Sequence, residues 1–213
     1  MNIVFDFGAV LFAWRPLELV AAAFPEHAGT PQAAKDFAHA VFAHPDWMDF
    51  DRGRVGRTRI AELTAERLSL DVQRVKALVD SVEEKLVPLP DSLDILRSLY
   101  AQRQIAGSPV SGLYFLSNMS EPFSRMLEQT YDFMQWFDGG VFSGDVQLIK
   151  PEPGIYALLQ SRYALKPDEI VFIDDMPYNV EAARTLGWQA IHFTSAQALQ
   201  THLNSILHAN SSV

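Results

Sequence analysis

The stretch Asn2-Ile3-Val4-Phe5-Asp6-Phe7-Gly8-Ala9-Val10 decides the fold. Asn2–Phe5 reads as a short buried strand, because a brief apolar run followed closely by a loop glycine suits a strand better than a helix. Asp6 stands where that strand runs out. Three later segments repeat the arrangement. Leu116-Ser117-Asn118, Lys150-Pro151 and Ile173-Asp174-Asp175 each place a polar group just past an apolar, β-like run. In an open α/β sheet, groups at the carboxyl ends of strands converge on one crevice. The order therefore predicts that an acid, a hydroxyl, an amine and two more acids meet.

Working outward, the chain divides in character. From Pro16 to Leu86 it carries helical periodicity over Leu17–Phe24, Gln32–Phe42, Arg57–Leu68 and Asp71–Leu86, punctuated by Pro16, Pro25, Pro31 and Pro45. Asp71 suits an N-cap, and no strand is expected there. Val87-Pro88-Leu89-Pro90 reads as a hinge, and Asp91–Tyr100 as an amphipathic helix. Strands and helices then alternate. Strands are expected over Gly112–Leu116, Gly140–Phe142, Ile170–Ile173 and Trp188–Phe193. Helices are expected over Glu121–Glu128, Pro153–Tyr163, Asn179–Leu186 (stopped by Gly187) and Ala196–Leu207, with Ala209–Val213 frayed. Such alternation predicts an α/β fold: a Rossmann-like, mainly parallel sheet with flanking helices. The helical block after the first strand reads as a small cap. The predicted organisation is a core of residues 1–14 and 89–213 with an α-helical cap domain of 15–88.

Bulk properties narrow the function. The 213 residues are 48% hydrophobic and 20% charged, as expected of a globular protein. A net charge of −9 argues against nucleic-acid partners, which need a cationic footprint. No run approaches a membrane span. The apolar N-terminus lacks a basic flank and is interrupted by Asp6, so it reads as a buried strand and not a signal peptide. With no cysteine, disulfides, thiolate metal sites and a cysteine nucleophile are excluded. A cytoplasmic location is the expectation. Nothing indicates the oligomeric state.

The polar groups suggest phosphoryl chemistry. Asp6 suits a metal ligand, a base, a covalent nucleophile, or a loop acid that satisfies backbone amides. Adjacent Asp174 and Asp175 repel each other unless a cation lies beside them, and Mg²⁺, which takes a few carboxylates plus phosphate oxygens, is the natural candidate. A plain turn is the alternative. Ser117 and Asn118 suit phosphoryl-oxygen binding ahead of a helix, or a helix cap. Lys150 offers a cation to a phosphoryl group and Asp6, or a solvated side chain. Asn179 suits support of the acidic loop, or capping. The six histidines show no metal-ligand spacing; His44, in the cap, is the one of interest.

In combination these segments resemble the haloacid dehalogenase superfamily of hydrolases, over nearly the whole chain. Asp6 matches its first motif, Ser117 its second, Lys150 its third and Asp174-Asp175 its fourth. Trp47-Met48-Asp49-Phe50-Asp51-Arg52-Gly53 is similar to the subgroup containing bacterial α-D-glucose-1-phosphate phosphatases. The resemblance implies a Mg²⁺-dependent phosphomonoester hydrolase acting on a small phosphorylated metabolite, such as a sugar 1-phosphate. Asp6 would attack phosphorus to give an aspartyl phosphate. Asp6, the Gly8 carbonyl and Asp175 would hold the metal, with Asp174 close by or ligating. Ser117, Asn118 and Lys150 would bind the phosphoryl oxygens. Trp47, Asp51 and Arg52 are candidate substrate contacts, and Asp51 or His44 a substitute acid.

One departure matters. Most phosphatases of the superfamily carry a second Asp two residues after the nucleophile, to protonate the leaving group. Here that position is Gly8. Losing a general acid costs about 10²–10⁴-fold, and least when the leaving oxygen is already acidic, as an anomeric one is. Two other readings stay open. A 2-haloacid dehalogenase on the same fold also lacks the second Asp, but needs no metal and leaves Asp174-Asp175 as surplus charge. A catalytically weak binding protein is the other.

Overall fold

In the computed structural model, which describes residues 1–209, the apolar runs form one parallel sheet. Its strands are β1 (Asn2–Phe5), β2 (Gly112–Ser117), β3 (Gly139–Phe142), β4 (Ile170–Asp174) and β5 (Gln189–His192). Their spatial order is β3-β2-β1-β4-β5. β1 is central and buried throughout, as a strand covered on both faces must be. The chain builds β2 and β3 on one side of β1, then returns to build β4 and β5 on the other. That reversal leaves a crevice at the carboxyl ends of β1 and β4. The register sets Phe5 beside Ile173, so Asp6 and Asp174 leave adjacent strands at the same level.

Strand alternation divides the core between the two faces. Ile3 and Phe5 point into a cluster with Leu96 and Leu99 of α6 (Pro90–Arg103) and Leu199 and Leu203 of α11 (Ala196–Ala209). Val4 and Phe172 point into a second cluster with Ile155 and Leu159 of α9 (Pro153–Arg162) and Ala183 of α10 (Pro177–Thr185). Two further helices belong to this part: α7 (Glu121–Thr130), and the short α8 (Ser143–Val146) directly after β3.

Between β1 and α6 lies the helical insert: α1 (Pro16–Ala23), α2 (Pro31–Phe42), α3 (Pro45–Asp51), α4 (Arg57–Leu68) and α5 (Val72–Lys85). Prolines at the first helical turns start α1, α2 and α3. Thr30 caps α2 by accepting the Ala33 N–H at 3.1 Å, and Asp71 caps α5 by accepting that of Arg74 at 2.9 Å. The segments entering and leaving the insert pair with each other: Ala13 N donates to Val87 O, and Leu89 N to Leu11 O, both at 2.8 Å.

Among the described residues the structure adds two α-helices to the expected set, α3 and the four-residue α8. α3 has only seven residues, too few to show a period, and the buried rings of Trp47 and Phe50 hold it in place. Other elements differ from expectation by a few residues at their ends. Of the Ala209–Val213 tail expected to fray, Ala209 closes α11 and the rest lies outside the described residues. No helix among the described residues is long and apolar enough to cross a membrane.

The loop after Asp6 is anchored by Phe7. Its carbonyl accepts the N–H groups of Val10, Leu11 and Phe12. Its buried ring lies 5.1 to 5.9 Å from those of Phe12, Phe115, Phe137 and Phe142. Phe7→Ala is expected to lower unfolding free energy by about 3–5 kcal/mol, measured by urea denaturation. A loss below about 1 kcal/mol would contradict this packing role.

Candidate active site at the strand ends

Asp6, Lys150 and Asp174 form a buried ion triad. Lys150 Nζ lies 2.8 Å from Asp6 Oδ1 and 2.6 Å from Asp174 Oδ2. Relative exposures of 2% for Lys150, 7% for Asp6 and 0% for Asp174 show that water hardly reaches it. The Asp6 backbone is fixed through its N–H to Ile173 O at 2.9 Å. Its Oδ1 also accepts the Phe7 N–H at 2.7 Å. Asp6 Oδ2 has no hydrogen-bond partner among the described residues.

The two adjacent acids differ sharply. Asp174 is fully engaged: Oδ1 accepts from Met176 N (2.8 Å) and Asn179 Nδ2 (3.0 Å), and Oδ2 from Lys150 and Asn179. Asp175 is partly exposed and its carboxylate meets no side-chain donor among the described residues. Its carbonyl instead lies 3.0 Å from His192 Nε2. His192 ends β5, so the strand-end rule points to it as well, although the histidines carry no metal-ligand spacing.

Asn118 works on Lys150. Its Nδ2 donates to Lys150 O at 2.9 Å, and its Oδ1 accepts Lys150 N at 2.8 Å. This two-point clasp ties the end of β2 to the Lys150 loop. Ser117 is buried at the same strand end, and its hydroxyl makes no hydrogen bond with the described residues. Nor does the Gly8 carbonyl accept one.

The insert residues are placed differently. Trp47 is enclosed in an aromatic series with Phe42 and Phe50. Arg52 makes a two-pronged ion pair with Glu152, one prong at 2.8 Å. The Asp51 carbonyl accepts from Ser143 Oγ at 2.6 Å, while burial pushes the Asp51 carboxyl well above the ordinary range. His44 Nδ1 is used on its own helix, accepting the Asp46 N–H at 3.2 Å. Ser143 and Glu152 carry no motif signal. A groove of about 670 Å³ between α1 and α5 is lined by Leu19, Leu78 and Val87, and by none of the strand-end residues.

Burial dominates the electrostatics. It pushes Asp6 up to about 7, against the pull of Lys150 and with added repulsion from Asp174. It pushes Asp175 up to about 6, helped by repulsion from Asp174. For Lys150, burial opposes the charge, but attraction to Asp174 and Asp6 outweighs it and the pKa lies above the ordinary lysine value. Carboxylate oxygens of Asp6, Asp174 and Asp175 all lie within 4.8 Å of one another. Three carboxylates against one ammonium leave two negative charges, which suits a divalent cation. The donors are all hard oxygens, fitting Mg²⁺ or Ca²⁺ over softer metals. The Asp6 Oδ2, Asp175 carboxylate and Gly8 carbonyl are the unengaged ones.

Comparison with known proteins places the chain in a family. The profile of haloacid dehalogenase-like hydrolases matches residues 2–187, and the chain belongs to that family. It is 24% identical to a sesquiterpene phosphatase of Aspergillus oryzae, over 96% of this chain and 95% of the relative. It spans less than half the length of several other curated relatives. A family enzyme from Bacteroides thetaiotaomicron, solved with magnesium and inorganic phosphate, superposes with a TM-score of 0.66 at 18% identity, covering 91% of this chain and 93% of that one. L-2-haloacid dehalogenase from Xanthobacter autotrophicus superposes at 0.63 with 21% identity, covering 96% and 82%.

The raised carboxyls set a pH dependence. The folded protein without metal keeps protons on Asp6 and Asp175 that the unfolded chain releases near about pH 4. Between about pH 4 and 7 the unfolded state thus binds fewer protons, and stability falls as pH rises. In EDTA the melting temperature is expected to drop from about pH 5 to 7.5, and Mg²⁺ to restore it at the upper pH while doing little at the lower. Calorimetry checks this; a melting temperature in EDTA that climbs across the range would contradict it.

Proposed function

We propose that this hydrolase is a Mg²⁺-dependent phosphomonoester phosphatase, acting on a small sugar phosphate such as a sugar 1-phosphate through an aspartyl phosphate on Asp6. The observation that carries the reading is the free Asp6 Oδ2, beside a buried lysine and two further carboxylates. The phosphatase name of the Aspergillus relative and the magnesium and phosphate in the Bacteroides structure support it. Residues 15–88 serve as a cap domain over a core of 1–14 and 89–213. The cysteine-free sequence supports a cytoplasmic location.

The chemistry follows from the residues. When bound, Mg²⁺ supplies positive charge against the phosphoryl oxygens; Asp6, the Gly8 carbonyl and Asp175 would hold it, with Asp174 behind them. Ser117 and Lys150 hold the phosphoryl group, assisted by the backbone near Asn118. Asp6 Oδ2 attacks phosphorus as the bond to the leaving oxygen breaks, and that oxygen takes its proton from water. A second water then attacks phosphorus, releasing inorganic phosphate and restoring the Asp6 carboxylate. The burial of the triad keeps Lys150 in place throughout.

Gly8 shapes the substrate range. A Cβ there would meet only Trp14 Cβ, at 3.9 Å, so the position has space for a side chain. With no acid there, substrates whose leaving oxygen is stable as an anion are favoured. Gly8→Asp is expected to raise turnover of primary alkyl phosphates at least tenfold, toward the roughly 10²–10⁴ that a general acid supplies. The same turnover as wild type would contradict this role for Gly8.

The test is phosphate release from glucose 1-phosphate, glucose 6-phosphate and an aryl phosphate, with Mg²⁺ or excess EDTA. Asp6→Asn is expected to cost about 10³-fold or more. The likeness to the Xanthobacter enzyme and the glycine at position 8 favour one second reading, a 2-haloacid dehalogenase. Chloride release from 2-chloropropionate that EDTA leaves untouched would establish it and overturn the first.

A further inference from the structure

We infer that the Arg52–Glu152 ion pair is a latch that holds the helical insert shut over the strand-end crevice, so that both are positioning residues and neither is a substrate ligand. The insert is held at two places. One is the paired crossing segments at Ala13–Val87 and Leu11–Leu89. The other runs from the end of α3 to the start of α4, where Arg57 also lies over the ring of Phe123 at 5.4 Å. Phe50, fully buried, meets the ring of Phe123 edge-on at 5.5 Å. The Asp51 carbonyl accepts from Ser143 Oγ. Gly53, at φ +75°, lies so close that a Cβ would come within 2.3 Å of Gly144 O. Arg52 then reaches Glu152, 100 residues away.

The guanidinium has little freedom for anything else. Both its terminal nitrogens are on Glu152, and Asp49 lies 3.9 Å from Nε. The Arg52 side chain is only 14% exposed, that of Glu152 45%. Two parallel N–H···O bonds fix orientation as well as distance. Glu152 follows Pro151 and Lys150, and Ser143 Oγ also accepts the Met119 N–H at 2.7 Å. The latch therefore bears directly on the loops that carry Lys150 and Asn118. Closing the pair shuts the insert and sets these two loops together.

The kinetic part of this inference rests on the phosphatase reading; hydrogen exchange does not, and so separates the two. In Arg52→Met and Glu152→Gln, amides of 49–56 and 143–147 are expected to exchange several-fold faster than in wild type, equally in both variants. About 0.5 M salt should move wild type toward the variants, because it screens the exposed side of the pair. The swap Arg52→Glu with Glu152→Arg should restore protection. For turnover, both single variants should lose kcat with the substrate that wild type prefers, and the swap should regain it. Unchanged exchange in both single variants would overturn the latch. So would a rise in KM confined to Arg52→Met, which is the behaviour of a substrate ligand. Loss of phosphatase activity in every protein including wild type, with the exchange pattern as described, would leave the latch standing and remove the phosphatase reading instead.

Discussion

The structure depends on one buried ammonium. Lys150 Nζ is the only cation within bonding distance of Asp6 and Asp174 among the described residues, and water hardly reaches any of the three. Burying two carboxylates is costly, and an ion group of this kind persists only when geometry is good and the remaining lone pairs are used. Asp174 meets that condition with four hydrogen bonds from three donors. Asp6 meets it only half-way, leaving Oδ2 open. The imbalance leaves Asp6, and not Asp174, with a carboxylate oxygen free.

Much of the surrounding architecture serves to hold that ammonium in place. The parallel register of β1 and β4 sets the two acids at one level. Asn118, from the end of β2, grips the Lys150 backbone from both sides. Glu152 continues the same loop and is gripped in turn by Arg52. Strand ends, loop and insert thus form one connected chain of polar contacts. Only Pro151 separates Glu152, held by the insert, from Lys150.

The fold and the strand-end residues were legible because they follow from local pattern plus one topological rule. Short apolar runs ending in a polar residue marked β1, β2 and β4, and the crevice rule brought Asp6, Lys150 and Asp174 together. What escaped the sequence depends on distant partners. Which of two adjacent acids turns inward depends on Lys150, 24 residues back, together with the Met176 and Asn179 amides. Nothing near Asn118 in the sequence points to the Lys150 backbone, 32 residues away, that its side chain grips. Nor does anything near Arg52 point to its partner Glu152, 100 residues away. α3 is too short for periodicity, and its aromatic packing is a tertiary effect. His192 lies at a strand end, where the crevice rule points, but carries no ligand spacing to mark it.

The central claim is that Asp6 carries the phosphoryl group in mid-reaction. Rapid quenching of the enzyme with Mg²⁺ and an aryl phosphate, followed by borohydride reduction, converts a phosphorylated aspartate to homoserine, which peptide mass spectrometry locates. The account predicts homoserine at position 6 in the presence of Mg²⁺, none at Asp174 or Asp175, and none when EDTA replaces the metal. Steady phosphate release with position 6 unmodified at every quench time would contradict it, and would assign the attack on phosphorus to water or to another group.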